Sequence, residues 1–269
     1  MSKELGVVFG WGAARGFAHL GIISFLEEKG IIPTEIAGTS IGAIMWACLA
    51  IGMKTSDILV FANSINYLSL VDMNLKTGLV KWNKIYKKLE ELYGDKKIED
   101  LDVKLRIVTT NIDTWEKHIF KKWKIIDAVR ASISIPSVFS FYETEEGNFI
   151  DGGVLNNLPI EILAVKKILA VSVMRDTKRK IELPEKGKFT LDFKKGFLGV
   201  NYQILQKTID IMMKQNEEAS LQTKWKDIFL LEPSLTGIDY YEFNRLMDIY
   251  PIWYNAIAEK EKEFLKWLQ

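Results

Sequence analysis

Residues 36–53 read Ile36-Ala37-Gly38-Thr39-Ser40-Ile41-Gly42-Ala43-Ile44-Met45-Trp46-Ala47-Cys48-Leu49-Ala50-Ile51-Gly52-Met53. An extended apolar segment leads into Gly38-Thr39-Ser40-Ile41-Gly42, a G-x-S-x-G, and a helix-forming run follows. A serine at a tight strand-to-helix turn sits in a strained conformation that larger residues at Gly38 or Gly42 would block, so these two glycines frame a nucleophile elbow around Ser40. The amides and dipole at the start of the following helix favour negative charge beside the hydroxyl. The stretch is apolar for nearly the roughly 18 residues of a membrane span. Its three glycines and Thr-Ser pair, and the lack of a basic flank, favour a buried core element instead. G-x-S-x-G also arises by chance, so its meaning depends on its surroundings.

Upstream, Leu5–Phe9 is a short Val-rich run that reads as a buried parallel strand. It ends in Gly10-Trp11-Gly12-Ala13-Ala14-Arg15-Gly16, after which Phe17, Leu20, Ile23 and Leu26 recur at helical spacing. Strand, glycine-rich turn and helix gather backbone amides into a site for a phosphate or a developing oxyanion. A dinucleotide fold is disfavoured, because the glycines are spaced G-x-G-x-x-x-G and Gly38-Thr39-Ser40 stands where a ribose-binding acid belongs. With Ile31–Ala37 as the second strand, the turn and Ser40 are expected at one sheet edge.

The 269 residues, 48% hydrophobic, are enough for a large core, and one domain spanning 1–269 is expected. A net charge of +1 gives no pull toward nucleic acid. The lone Cys48 excludes an intrachain disulfide and a cysteine zinc site and reads as a small core residue. The first residues lack a secretory pattern, so a cytoplasmic protein, with peripheral membrane contact open, is the expectation.

Downstream, Thr55-Ser56-Asp57 reads as the cap of a helix reaching Asn63, and 66–79 as either a cover over the site or surface packing. Trp82, Ile85, Leu89 and Leu92 mark an amphipathic outer helix. Val103–Thr110 and Lys117–Lys121 read as strands and Ile125–Ser132 as a helix, stopped near Pro136. A hairpin is expected from Phe139–Tyr142 and Asn148–Ile150. It ends at Asp151-Gly152-Gly153, a cheap turn taken alone. A serine nucleophile needs a base. The two histidines suit it poorly: His19 lies in an apolar helix face and His118 in a Lys-rich strand, and no histidine follows Asp151. The base is then expected to be a carboxylate, with Asp151 best placed.

Gly10 to Gly16 with His19-Leu20-Gly21, Gly38 to Gly42, Ala131-Ser132-Ile133-Ser134-Ile135-Pro136 and Asp151-Gly152-Gly153 occur in order from about Leu5 to Arg175. In these motifs the chain resembles the patatin-like phospholipase family, particularly its compact bacterial members. The resemblance implies a three-layer α/β/α sandwich with a mostly parallel sheet, and a serine lipid acyl hydrolase acting through a Ser40–Asp151 dyad without histidine. Ser40 would attack an ester carbonyl and Asp151 would take its proton and later activate water. The backbone of Gly10, Trp11, Gly12, Ala13 and Arg15 would hold the oxyanion. No metal or cofactor is implied. Trp11 and Ala13 stand where family members with an uninterrupted glycine run have Gly. Trp11 supports an alternative, a weak or inactive lipid- or acyl-binding protein, and transfer to an acceptor other than water is a third reading.

Residues 176–195 read as a charged loop, Gly199–Thr223 as a long helix with Ile204, Thr208, Ile211, Met212 and Gln215 near one face, and Ile228–Leu231 as a last strand. Ile249–Leu268 reads as a terminal helix interrupted early at Pro251, with aromatics that suit docking on the core better than a membrane surface, since Glu259, Glu261 and Glu263 offset the lysines.

Overall fold

The computed structural model describes residues 4–65, 82–136, 138–174, 197–238, 240 and 242–269. The 66–79 cover and the 176–195 loop lie outside them. Strands β1 (Leu5–Phe9), β2 (Glu35–Thr39), β3 (Lys104–Asn111), β7 (Lys167–Val171) and β8 (Asp227–Leu231) run parallel. They belong to a mixed eight-stranded sheet in the order β5 (Tyr142–Thr144), β6 (Gly147–Asp151), β3, β2, β1, β7, β8, with β4 (Glu116–Phe120) on β3. The antiparallel part is β4 with the β5–β6 hairpin.

Alternate residues of the parallel strands feed two cores, as buried strands demand. Val7, Phe9, Leu169 and Val171 meet the helices α1 (Ala18–Glu28), α2 (Ile41–Ala50), α5 (Ile125–Ser132), α7 (Leu246–Glu259) and α8 (Glu261–Leu268). Val8, Ile168 and Ala170 face Leu158, Ile160 and Leu163, with Leu221 at the end of α6 (Phe197–Leu221) packed alongside. The architecture is the three-layer α/β/α sandwich expected. The apolar 36–53 segment is β2 and a core helix, with Trp46 fully buried. Among the described residues no helix is long and apolar enough to cross a membrane.

Several boundaries differ from the sequence reading. β2 begins at Glu35 rather than Ile31: Pro33 has no N–H for the ladder, and Ile32 stands 76% exposed. The hairpin pairs Tyr142 with Phe149 and Thr144 with Gly147, because Gly147 at φ +130° closes a tight turn, and Phe141 falls outside the ladder. The helix α3 (Thr55–Ser64) is not capped by its own Thr55 side chain; Glu27 of α1 accepts from both the Thr55 amide and hydroxyl. The buried face of α6 carries Ile209, Met213 and Glu217, while Ile211 and Met212 are exposed. The terminal helix passes through Pro251 and breaks instead at Lys260. Its aromatics do dock: Trp253 and Phe264 are buried, and Phe264 and Trp267 meet Phe229.

Candidate active site

β3 brings the two halves of the site together. Its Val108 pairs with Thr39, the last residue of β2, and its next residue, Thr109, pairs with Asp151 at the end of β6. β4 occupies the opposite edge, pairing Val108 with Ile119 and Thr109 with His118. β6 therefore continues along the edge where β2 stops, and the residue after Thr39 meets Asp151.

Ser40 sits at φ +58°, ψ −126°, a left-handed strained conformation between β2 and α2. Small neighbours permit it. A Cβ on Gly42 would lie 2.7 Å from the Phe9 carbonyl oxygen, and one on Gly38 2.8 Å from the backbone of Ala43. The Ser40 amide donates to Ser132 Oγ at 2.9 Å, and the Ser132 hydroxyl donates to the Val108 carbonyl at 2.7 Å. Two residues on, the Ser134 carbonyl accepts from the Asp151 amide at 3.0 Å. The Ser132-Ile133-Ser134 segment thus braces both the elbow and the aspartate.

Asp151 is fully buried. Its Oδ1 accepts from the Gly153 amide at 2.8 Å, and its Oδ2 lacks a well-formed hydrogen bond. Burial pushes its pKa up to about 7, opposed by the Ser40 hydroxyl and the Gly153 amide. The Ser40 hydroxyl is close enough to pull the pKa down but does not close a hydrogen bond of good geometry, a common condition in an unliganded site.

Neither histidine joins this pair among the described residues. His19 is buried and stacked on Phe9, with its pKa pushed down to about 3 by burial; its Nε2 lies 3.1 Å from the Gly10 carbonyl and, in the neutral ring, donates to it. His118 packs on Phe120 and Phe149 beside Glu146.

The glycine-rich turn lies against the elbow, and a Cβ on Gly16 would fall 2.1 Å from Ile41 Cγ2. Its amides are not equivalent. The Trp11 amide donates to Asn157 Oδ1 at 2.8 Å, the Ala14 amide to the Tyr240 carbonyl at 2.9 Å and the Arg15 amide to the Gly12 carbonyl at 2.9 Å. Among the described residues the Gly12 and Ala13 amides have no acceptor. Ala13 adopts φ +44°, where glycine is the unstrained residue. The Trp11 indole is buried with Tyr240, Met174, Ile209 and Met213. The Arg15 guanidinium binds the carbonyls of Ile238 and Val173 and stacks on Tyr240, tying the turn to the segment before α7.

The patatin-like phospholipase family model matches residues 7–164, more than half of the chain, from within β1 to the segment before β7. The chain belongs to this family. An uncharacterised NTE family protein of Mycobacterium tuberculosis is 33% identical over 164 residues, 60% of this chain and 28% of that protein. The neuropathy target esterase sws of Drosophila melanogaster is 29% identical over 183 residues, 64% of this chain and 13% of its own length. This patatin-like chain therefore spans well under half the length of these curated relatives. The crystal structure of VipD from Legionella pneumophila has the same fold, with TM-score 0.53 and 16% identity, and covers 96% of this chain and 67% of that one.

The sequence alone did not single out Ser132, Asn157, Asn216 or Glu217 as contributors to this patatin-like site. Ser132 carries the one available signal, its place in the Ala131 to Pro136 motif.

Proposed function

We propose that the protein is a serine lipid acyl hydrolase that cleaves carboxylic esters through Ser40 and Asp151. The observation that carries the reading is the strained Ser40 beside a buried carboxyl group whose pKa is lifted to about 7. A carboxylate with an ordinary pKa is a poor base toward a hydroxyl, and burial raises its basicity into the operating range. Ser40 attacks the ester carbonyl as Asp151 takes its proton, the Gly12 and Ala13 amides receive the oxyanion, and the alcohol leaves with the proton. Asp151 then draws a proton from water, which attacks the acyl-enzyme; the fatty acid is released as Asp151 returns the proton to the departing Ser40 oxygen. Membership of a phospholipase family, and a relative named as an esterase, favour a lipid ester as substrate.

Labelling with a fluorophosphonate tests this, since the reagent reports an activated serine. The parent is expected to label and Ser40→Ala not to; a folded parent that neither labels nor hydrolyses short-chain esters would remove the reading. The kcat/KM of ester hydrolysis is expected to rise with pH, half-maximal near pH 7 and falling about tenfold per unit below it, as Asp151 takes up its proton. A flat profile from pH 5 to 8 contradicts Asp151 as the base.

Ser132→Ala removes the acceptor of the Ser40 amide and the donor to Val108. It is expected to cost about 1–3 kcal/mol in chemical denaturation, the usual penalty for a buried polar group left unpaired. Turnover is expected to fall by roughly tenfold as the elbow loosens, with KM little changed.

A further inference from the structure

The oxyanion turn is held from behind by a buried polar chain that starts on α6. Glu217 is buried, and its Oε2 accepts from Asn157 Nδ2 at 2.7 Å. Its Oε1 accepts from the Ser172 hydroxyl at 2.5 Å, with Lys214 Nζ 3.4 Å away. Asn157, also buried, passes the constraint on through Oδ1, which accepts the Trp11 amide. Its side-chain amide is fixed from both ends, so its orientation is not free. The adjacent Asn216 donates to the Gly153 and Val154 carbonyls at 3.1 Å and accepts from the Asn157 amide at 2.9 Å. One turn of α6 thereby grips the segment that follows Asp151 and, through Asn157, the turn that follows β1.

We infer that Glu217 and Asn157 are positioning residues that orient the oxyanion turn, a role that rests on the hydrolase reading. Asn157 draws the Trp11 amide out of the reaction space and fixes the plane of the Gly10–Trp11 peptide. Among the described residues the next two amides, Gly12 and Ala13, have no internal acceptor, and they are left for the oxyanion. Position 11 then needs no glycine: its amide is not a catalytic donor, and its side chain packs in the buried cluster with Tyr240, Met174, Ile209 and Met213. Position 13, at φ +44°, is where the departure from glycine carries strain.

Without Glu217, Asn157 Nδ2 is buried with no acceptor, and its amide rotates or admits water. The Trp11 peptide is then free to turn, and a misdirected oxyanion donor costs rate without costing substrate affinity. The full chain carrying Glu217→Ala, Glu217→Gln or Asn157→Asp is compared with the parent by kcat and KM for a p-nitrophenyl ester, by thermal unfolding, and by NMR hydrogen exchange at the Trp11 amide. Glu217→Ala is expected to lower kcat about 10- to 100-fold with KM within about threefold, and to expose the Trp11 amide to exchange. Glu217→Gln, whose carbonyl still accepts from Asn157, is expected to stay within about threefold of the parent. Asn157→Asp keeps the acceptor for Trp11 and sets a second buried carboxyl group against Glu217, where the pair shares one proton, so it is expected to stay closer to the parent than Glu217→Ala does.

A folded Glu217→Ala protein with parental kcat, or with parental protection of the Trp11 amide, overturns the inference, as does a Gln variant as impaired as Ala. An inactive parent counts against the hydrolase reading. The exchange measurement still judges the clamp in that case.

Discussion

Asp151→Asn is expected to lower ester turnover by at least about 10³-fold and, at the same time, to make the protein more stable at pH 8. The loss follows from removing the base: the amide retains the Oδ1 acceptor for the Gly153 amide but cannot take the Ser40 proton. The gain follows from linkage. The folded pKa of Asp151, about 7, lies above its ordinary value of 3.8, so between these values the folded state holds more protons than the unfolded one and stability falls as pH rises. Above pH 7 the full cost of burying the charge is present, at most about 4 kcal/mol. Asparagine avoids it, and a rise in Tm of about 5 °C at pH 8 is expected, shrinking toward pH 4. Thermal unfolding and ester kinetics at both pH values check the pair of effects. A variant that kept parental turnover would eliminate Asp151 as base. One that lost turnover but was less stable at pH 8 would show that Asp151 is ionised and favourably solvated in the fold, against the burial that raises its pKa.

Gly152→Ala is expected to be the most disruptive methyl group that could be added near the site. Its Cβ would lie 2.3 Å from the Val108 carbonyl oxygen, 2.6 Å from the Val108 carbonyl carbon and 3.0 Å from the Thr109 amide nitrogen. These are backbone atoms of the strand that pairs with both Thr39 and Asp151, so relief by a side-chain rotation is not available. About 3 kcal/mol of destabilisation and a loss of at least about 100-fold in kcat are expected, because pushing β6 off β3 withdraws the base from Ser40. Gly153→Ala is the control. Its Cβ would meet the Met213 Cε at 2.8 Å, the far end of a flexible side chain, and Asp151 Oδ1 at 3.1 Å. It is expected to fold with a smaller loss. Parental kcat and Tm in Gly152→Ala would show that the register on β3 does not hold the site.

Much of the fold and the candidate residues was legible in the sequence because the signals are local. Glycines at 38 and 42 announce a tight turn, the Val-rich run before Gly10 announces a buried strand, and the absence of a histidine after Asp151 directs attention to a carboxylate. The donor pattern of the oxyanion turn was not legible. It depends on Asn157, 146 residues from Trp11, and on Glu217, 60 further on. The buried face of α6 was misread for a related reason. Ile211 and Met212 look like core residues in isolation, but this helix packs through Met213, in an apolar cluster with Trp11 and Tyr240, and through Asn216 and Glu217, whose partners are polar groups of distant segments. The hairpin and β2 boundaries depended on Gly147 and Pro33, whose effect on pairing appears only once the partner strand is known.

Because β2 and β6 share one edge of β3, the order of synthesis bears on when the protein becomes reactive. The elbow, β3 and the glycine-rich turn are all made before residue 112, yet the proposed base arrives only at residue 151, in a hairpin that docks antiparallel onto β3, and the residues that hold the turn, Asn157 and Glu217, come later still. A growing chain that has emerged only as far as β3 carries Ser40 without the carboxyl group proposed as its base. On the proposed mechanism, a nascent or truncated chain that lacks the β5–β6 hairpin cannot activate Ser40, so topology alone withholds ester cleavage until β6 pairs with β3.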